Sequence, residues 1–402
     1  MHTKVYAAAL ALVLASPAIA ADEPGVFKIP GTDSTIKFYG YAQLDTTLDF
    51  AGRVGNIEDN DWATILPAVP DDDSLEGKRK KPQLYMTGRT SRFGIQTSTP
   101  SGAGNVGVRL EGDFNGPNGF QSETFTNSVL FRLRHAYGTV GGFLAGQTWS
   151  TFLDLGAAPD TVDFNGPGSL ALVRNPMLRY TLKLGPASLA LAAENARGAQ
   201  FGGTKFQTAP DFHANLTYGG SWGHVSIRGV SQYFREFLAT DVSPASKFTV
   251  GGAVSGSVKL GGDTLVAQVS GGPGIGRYLL NSIGTGQSGA GAYTLVGDKL
   301  ELWTVFAYHA GFTHVWGPGL RSNLVWSQTF VDDPKIGGVE AGNDVEKELM
   351  QAFVNTFWSF AKNAELGVEY AYGQWKSFTG GGDPERKGTQ NRVNVSLHYN
   401  FF

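Results

Sequence analysis

Basic side chains that share one face of alternating strands are the residues of this sequence best suited to do chemistry. Between positions 129 and 174, apolar and polar residues alternate, so Phe131, Leu133 and Tyr137 share one face and Arg132 and Arg134 the other. A planar guanidinium can hold a carboxylate through two parallel hydrogen bonds. Alternation along the predicted strands identifies the candidate anion-binding residues, and Arg174, which ends this stretch, is added to them. The candidates are Arg92, Arg109, Arg132, Arg134, Arg174, Arg179 and Lys183.

Three aspartates follow in the same stretch. Gly141-Gly142 turns the chain, Phe143 to Trp149 forms another strand, and residues 150–174 then lack a clear period. A segment of that length without secondary structure is uncommon in a compact fold unless it has a function. We expect its acids to be either partners of the arginines or the wall opposite them: Asp154, Asp160 and Asp163.

Signals for catalysis and metal binding are weak. The chain has no cysteine, and the histidines other than His135 are scattered without metal-ligand spacing. His135 shares parity with Leu133 and Tyr137, so we expect it near an interface rather than acting as a base. The acidic runs at 71–73 and 112–116 could bind Ca²⁺, although a solvated acidic loop is the simpler interpretation. We therefore predict that the chain is not an enzyme and has no cofactor and no metal site.

The alternating pattern recurs along the rest of the chain. It predicts sixteen strands, an even number, and the connections between them alternate strictly between seven short and eight long ones. Gly and Pro at the short connections supply the backbone angles that tight hairpins demand. The predicted strands are 35–50, 82–98, 103–114, 126–139, 141–149, 176–184, 187–195, 211–218, 222–236, 246–260, 263–270, 301–316, 319–330, 346–359, 363–376 and 389–401.

Short connections at one rim and long connections at the other are typical of an all-β, transmembrane antiparallel β-barrel with short periplasmic turns and long external loops. No backbone group can stay unpaired in lipid, so only a helix or a closed barrel spans it. No stretch after the N-terminus approaches the ~20 apolar residues of a spanning helix. A soluble β-propeller should show repeats of about 40–50 residues, and none is apparent. Residues 150–175 form the third long connection, which we expect to fold into the pore.

The N-terminus resembles an export signal. Lys4 and an apolar run precede the small-residue site Ala18-Ile19-Ala20. We predict a cleaved signal peptide at 1–20, a short periplasmic segment at 21–34 and a β-barrel at 35–402. Removal of the signal would change the formal net charge from −3 to −4, because Lys4 is its only charged residue. A charge so near neutrality gives no support to nucleic-acid binding.

Five short motifs follow one another along the chain: Phe27–Asp33, Lys37–Tyr41, Gly88–Gly94, Leu133–Gly138 and Gly146–Phe152. Together they resemble the DcaP-like family of trimeric outer-membrane porins of Gram-negative bacteria. The resemblance implies a sixteen-stranded homotrimeric barrel in the outer membrane, with the third external loop folded into the pore. It also implies selectivity for small anions, dicarboxylates among them. Family members can carry a coiled-coil extension before the barrel, and residues 21–33 are too short for one.

Taken together, the patterns and the resemblance predict a passive diffusion channel for small hydrophilic solutes, with a preference for anions. Fixed donors and a positive potential replace part of an anion's hydration shell, while release requires that binding stay weak. The expected surroundings are outer-membrane lipid and lipopolysaccharide. Two alternatives stay open: a general non-selective porin, and a receptor or adhesin barrel that acts through its long loops.

Overall fold

The alternating segments form the strands of one closed sheet in the computed structural model. Among the residues described, no helix is both long and apolar enough to cross a membrane. The structure describes residues 23–51, 65, 82–116, 127, 130–196, 204–205, 208–237, 245–279, 293–296, 299–332, 346–378, 385 and 387–402. The predicted signal peptide at 1–20 lies outside them.

Sixteen strands run antiparallel around the barrel, and the second is interrupted between Thr87 and Arg92. In chain order they are β1 (Thr35–Ala51), β2 (Gln83–Thr87 and Arg92–Thr99), β3 (Val106–Asp113), β4 (Arg132–Val140), β5 (Phe143–Trp149), β6 (Arg174–Leu184), β7 (Ala187–Glu194), β8 (Asp211–Gly220), β9 (Gly223–Phe237), β10 (Ala245–Leu260), β11 (Asp263–Pro273), β12 (Thr304–Gly317), β13 (Leu320–Val331), β14 (Glu346–Ala361), β15 (Ala364–Ser377) and β16 (Lys387–Asn400).

The first and last strands close the sheet. β1 pairs with both parts of β2 on one side and with β16 on the other, from Tyr41 to Ala51. Each barrel strand therefore has two hydrogen-bonded neighbours. Closure removes the edges whose unpaired backbone groups lipid could not satisfy. The predicted all-β barrel of about sixteen strands is confirmed, although single strand ends differ by several residues.

The connections at one rim are tight hairpins. Gly141 and Gly261 adopt φ angles of 54° and 67°, which side-chain-bearing residues rarely adopt, so glycine permits these two-residue turns. Gly219–Gly223 has the Gly-x-Ser-x-Gly spacing of a serine nucleophile elbow. It is instead the hairpin between antiparallel β8 and β9, and no helix follows it. The opposite rim carries the long connections, among them residues 150–173 between β5 and β6.

The two surfaces of the barrel differ in polarity. Large apolar side chains at alternate positions point outward, and Leu178 and Phe248 are 67% and 65% exposed. Acidic, basic and amide side chains are buried inside instead. This arrangement is the apolar-out, polar-in pattern of a barrel surrounded by lipid.

A β-bulge in β4 changes the alternation that the sequence suggests. The register with β3 skips Arg134, so Arg134 and His135 both point into the barrel, and Tyr137 does the same. The predictions that His135 lies near an interface and that Tyr137 shares the face of Leu133 are therefore wrong. His135 is buried, and its Nδ1 lies 2.9 Å from the Thr148 hydroxyl oxygen.

The N-terminal segment continues the sheet below the end of β16. Val26–Lys28 pairs antiparallel with Thr35–Lys37 at the start of β1. β16 pairs with β1 only from Tyr41 onward, so the segment occupies the edge that β16 leaves open. This hairpin protects the seam at the rim of the short turns.

Apolar side chains also form a core inside the barrel. Phe152 and Leu153 of the segment after β5 pack with Ile275 and Tyr278, which belong to a 3₁₀ turn after β11. Inward apolar residues of β9, β10, β12 and β13 also belong to this cluster. The interior on that side is thus filled by connections rather than open to water.

Candidate functional site

Five arginines of β2, β3, β4 and β6 come together on one side of the lumen. The strand register sets Arg92 opposite Asp113, and Asp113 opposite Arg132. Arg109 lies two residues from Glu111 on β3, so both side chains point inward. We call this group the arginine wall: Arg92, Arg109, Arg132, Arg134 and Arg174.

Glu111 holds the middle of the arginine wall. It accepts hydrogen bonds from Arg134 Nε at 2.8 Å and from Arg109 Nη2 at 2.6 Å. Arg92 Nε lies 3.6 Å from the same carboxylate. Hydrogen bonds between charged groups are short and directional, so Glu111 fixes where these guanidinium planes point.

Asp113 holds the end of the wall near the long connections. It accepts two hydrogen bonds from Arg132, at 2.9 and 2.7 Å, and one from Arg134 Nη1 at 2.9 Å. Four of these arginines thus share two carboxylates, and with Arg174 included the cluster has a formal excess of three positive charges. An excess of one sign on a lumen wall raises the local concentration of the opposite ion.

Arg174 differs from the rest of the wall because no carboxylate among the described residues holds it. Its guanidinium carbon lies 3.6 Å from the centre of the Trp149 ring. Its Nε is buried without a hydrogen-bond partner. Trp149 also lies 5.7 Å from the Arg134 guanidinium, which joins Arg174 to the wall. A half-buried guanidinium with unused donors can bind an anion without first releasing another acid.

The third long connection, residues 150–173, runs along the inner surface of the barrel. Near its start it contacts β7, where the Thr151 backbone N–H donates a hydrogen bond to Glu194 at 2.6 Å. It reaches β16 at Asp163, which lies 3.8 Å from Arg392 Nη1. Each strand from β8 to β15 contributes one or more inward side chains to it, among them Asn215, Arg228, Ser255, Gln268, His309, Arg321, Asn355 and Glu369. The loop therefore covers the side of the lumen that faces the arginine wall.

The aspartates of this loop bind the far wall. Asp154 accepts a hydrogen bond from Ser255 at 2.5 Å and lies 2.8 Å from His224 Nε2. Asp160 accepts from Arg321 Nε at 2.7 Å. Of the two expectations, the one that paired these acids with Arg132 and Arg134 is wrong. The carboxylates fasten the loop opposite the arginines.

All three of these carboxylates have displaced pKa values, and those of Asp154 and Asp163 are displaced in opposite directions. Burial favours the neutral form of Asp154, but its contacts with His224, Arg228 and Ser255 outweigh it and hold the pKa below the ordinary 3.8. Asp163 is fully buried, and burial raises its pKa well above 3.8 despite the nearby Arg392 guanidinium. Asp154 therefore anchors the loop as a stable carboxylate.

A residue of the first long connection holds the tip of the third long connection in place. Ile65 is fully buried inside the barrel against Val325, Phe353 and Ala371. Its N–H donates to Asp163 at 2.9 Å.

The acidic run at 71–73, a Ca²⁺ candidate, lies outside the described residues. The other candidate run, 112–116, has Asp113 committed to arginines, and the described residues form no cluster able to hold a metal.

The two remaining basic candidates stand on β6 nearer the short turns than Arg174. Arg179 is buried at the register of Leu144 and Ala192. Lys183 is exposed close to the rim. Both keep the inward parity predicted from the sequence, because Thr181 between them is also buried.

Sequence reasoning missed several residues that organise the lumen. Arg321 binds Asp160 and also Glu365, at 2.6 Å, and its alternation along β13 could have revealed it. Tyr39 accepts from Arg109 Nε at 2.8 Å and donates to Glu111 at 3.0 Å. The alternation along β1 could also have shown that the Tyr39 side chain points inward. Ile65 and Tyr278 sit in aperiodic connections, and no pattern marks them.

A closed sixteen-stranded antiparallel barrel with an apolar outside and a charged inside defines an outer-membrane channel of the porin class. The model of the DcaP outer membrane protein family matches residues 21–401. The chain belongs to this family. The outer membrane channel DcaP of Acinetobacter baumannii is similar in structure, with 27% sequence identity and a TM-score of 0.75, over 93% of this chain and 99% of that one.

Other solved porins share the fold. OmpT of Vibrio cholerae aligns with 93% of this chain and all of its own, at 15% identity and a TM-score of 0.55. The anion-selective porin from Comamonas acidovorans covers 92% of this chain and all of its own, at 13% identity and a TM-score of 0.55. At such identities the likeness concerns the fold alone. No relative was found among curated protein sequences.

Proposed function

We propose that this barrel is a passive diffusion channel that prefers small anions, dicarboxylates among them, over cations and neutral solutes. The observation that carries the proposal is the arginine wall, which contains five guanidinium groups and only two carboxylates. The third loop fills the opposite side of the lumen, so a solute passes close to these charges. Fixed donors then replace part of the hydration shell that an anion loses in a narrow pore.

Dicarboxylates suit the wall for a geometric reason. Arg174 has a buried Nε–H donor without a partner among the residues that the structure describes, and the Arg132 side chain is 29% exposed beside its bond to Asp113. Two guanidinium groups near one another can hold the two ends of a dicarboxylate, each through paired hydrogen bonds. The remaining arginines are already paired, which keeps solute binding weak enough for release.

We also propose the surroundings of the channel. The apolar outer face fits outer-membrane lipid and lipopolysaccharide, and a mature chain that starts after residue 20 would leave the hairpin of residues 23–34 on the periplasmic side. A homotrimer is supported by the solved trimer form of OmpT from Vibrio cholerae, a structural neighbour at 14% identity. Chemical cross-linking of the protein in native outer membranes should give a trimer band; a monomer band alone would contradict it.

Solute uptake into proteoliposomes tests the proposed selectivity. Succinate and the neutral polyol xylitol are similar in size, so the comparison isolates charge. Succinate should enter faster than xylitol through the wild-type channel because the arginine wall raises its local concentration. Equal rates would indicate a general porin, and negligible rates for both would indicate a receptor or adhesin barrel.

A further inference from the structure

Aromatic rings are interleaved with the arginines of the wall. The guanidinium carbons of Arg92 and Arg109 each lie 5.2 Å from the ring centres of Tyr41 and Tyr39, respectively. Trp149 lies between Arg174 and Arg134, at 3.6 and 5.7 Å. Four of the five arginines therefore stack on a ring.

These pairs form a continuous path along the pore. Trp149 stands at the end of β5 near the long connections, whereas Tyr39 lies near the start of β1 at the short rim. Glu111 links the two ends, because Arg134, Arg92 and Arg109 all surround its carboxylate. A solute that follows the wall meets ring and guanidinium faces in alternation.

The rings of the wall are partly exposed, unlike the rings that pair with Arg228 and Arg321 on the far side of the lumen. Trp149, Tyr41 and Tyr39 are half-buried. On the far side, Arg228 stacks near Phe152, and Arg321 lies 4.1 Å from the centre of Phe357, but these rings are only 1% and 6% exposed. Far-side rings serve packing, whereas wall rings present surface to a solute.

Exposed rings beside guanidinium groups suit a planar aromatic anion. Its carboxylate can bind an arginine in bidentate fashion while its ring stacks on a guanidinium plane or on an aromatic side chain. An aliphatic anion of the same charge gains only the first of these contacts. We propose that the arginine wall selects aromatic carboxylates over aliphatic carboxylates of equal charge and size. This inference rests on the proposed anion preference and names a substrate class for it.

Benzoate and cyclohexanecarboxylate provide the matched pair of probes, since both are ring monocarboxylates and only benzoate is aromatic. The permeability ratio of the two comes from reversal potentials across planar bilayers that hold the full-length mature channel. Stacking should favour benzoate by about two- to tenfold. A wild-type ratio of one would overturn the inference and leave the anion preference, measured separately with KCl, intact.

Substitutions in the wall locate the effect. Trp149→Leu removes a ring but no charge, so the ratio should fall towards one, and Trp149→Phe should restore it in part. Trp326→Leu removes a ring from the outer surface and should leave the ratio unchanged. An unchanged ratio in Trp149→Leu would contradict the assignment, and Tyr41→Leu repeats the test lower in the wall. A cation preference in KCl would overturn both this inference and the proposed function.

Discussion

At the scale of residues, the arginine wall contains two kinds of arginine. Arg134 is buried and bound to both Glu111 and Asp113, so its charge organises the wall. Arg174 is half-buried, stacked on Trp149 and without a carboxylate partner among the described residues. The first kind sets geometry, and the second is available to a solute.

This division predicts different costs for two neighbouring substitutions. Arg134→Gln removes one cation from two buried carboxylates and should lower the unfolding free energy by roughly 3 kcal/mol. Arg132→Gln affects Asp113 alone and a more exposed side chain, so it should cost less. Urea-induced unfolding of the detergent-solubilised barrel measures both. A larger loss for Arg132→Gln would contradict the assigned roles.

The sequence identified most of the wall but not its internal arrangement. Arg92, Arg109, Arg132 and Arg134 were readable because the side-chain period of a strand is two. The β-bulge at Arg134 could not be read from the sequence, and this bulge turns the His135 side chain inward. A bulge depends on pairing with a neighbouring strand, and alternation within one strand does not record it.

At the scale of elements, the third loop is held to the far wall by polar anchors at both its start and its tip. Glu369 is the anchor at the tip, where it accepts hydrogen bonds from Val162 N and Asp163 N at 2.9 and 2.8 Å. At the start, Asp154 joins β9 and β10. These anchors keep the loop away from the arginine wall and so set the width of the pore.

Loosening the tip should therefore change conductance. Glu369→Gln places an amide NH₂ where a carboxylate oxygen accepts a backbone N–H, so the tip should detach and become mobile. Single-channel recordings should show larger or noisier currents than the wild type. Glu348→Gln is the matched control. It breaks an ion pair between Glu348 of β14 and Lys376 of β15, the strand that also carries Glu369. Equal traces for Glu369→Gln and the wild type would contradict the anchoring role.

The anchor at Asp154 predicts a dependence on pH. Its folded-state pKa lies below the unfolded value, so the carboxylate contributes stability at neutral pH, and this contribution is lost as the pH falls through the folded pKa. Two charge-assisted contacts put the contribution at roughly 1–3 kcal/mol. Asp154→Asn should be less stable than the wild type at neutral pH by this amount.

The same two proteins test the direction of the effect in acid. Their difference in unfolding free energy should persist down to about pH 5 and shrink as the pH falls further, through the lowered pKa of the folded Asp154. Unfolding curves measured across this range provide the comparison. A difference that grows on acidification would contradict a lowered pKa at Asp154.

Loop structure was the least predictable part of the elements. The length of residues 150–173 marked the segment as functional, but its contacts with ten strands depend on side chains far apart in sequence. Gln351 of β14 donates a hydrogen bond to the Ile65 carbonyl oxygen, and nothing in the local sequence of Ile65 signals that pairing. Aperiodic segments follow the surface that they pack on, which exists only once the barrel has closed.

At the scale of the whole molecule, alternation and connection length were sufficient to predict the fold. A side-chain period of two, repeated sixteen times with alternating short and long connections, is compatible with few architectures, and lipid requires that such a sheet close. Closure then decides function, because it turns one face of every strand into a lumen. The uneven filling of that lumen places the arginine wall beside the open path.

The zero-current potential of the wild-type channel in a KCl gradient tests this account most directly. The anion preference predicts a potential displaced towards the chloride equilibrium value. Arg174→Gln should reduce that displacement without a loss of folded protein, whereas Lys28→Gln, outside the barrel strands, should not change it. A wild-type potential at zero or displaced towards the potassium value would contradict the central claim.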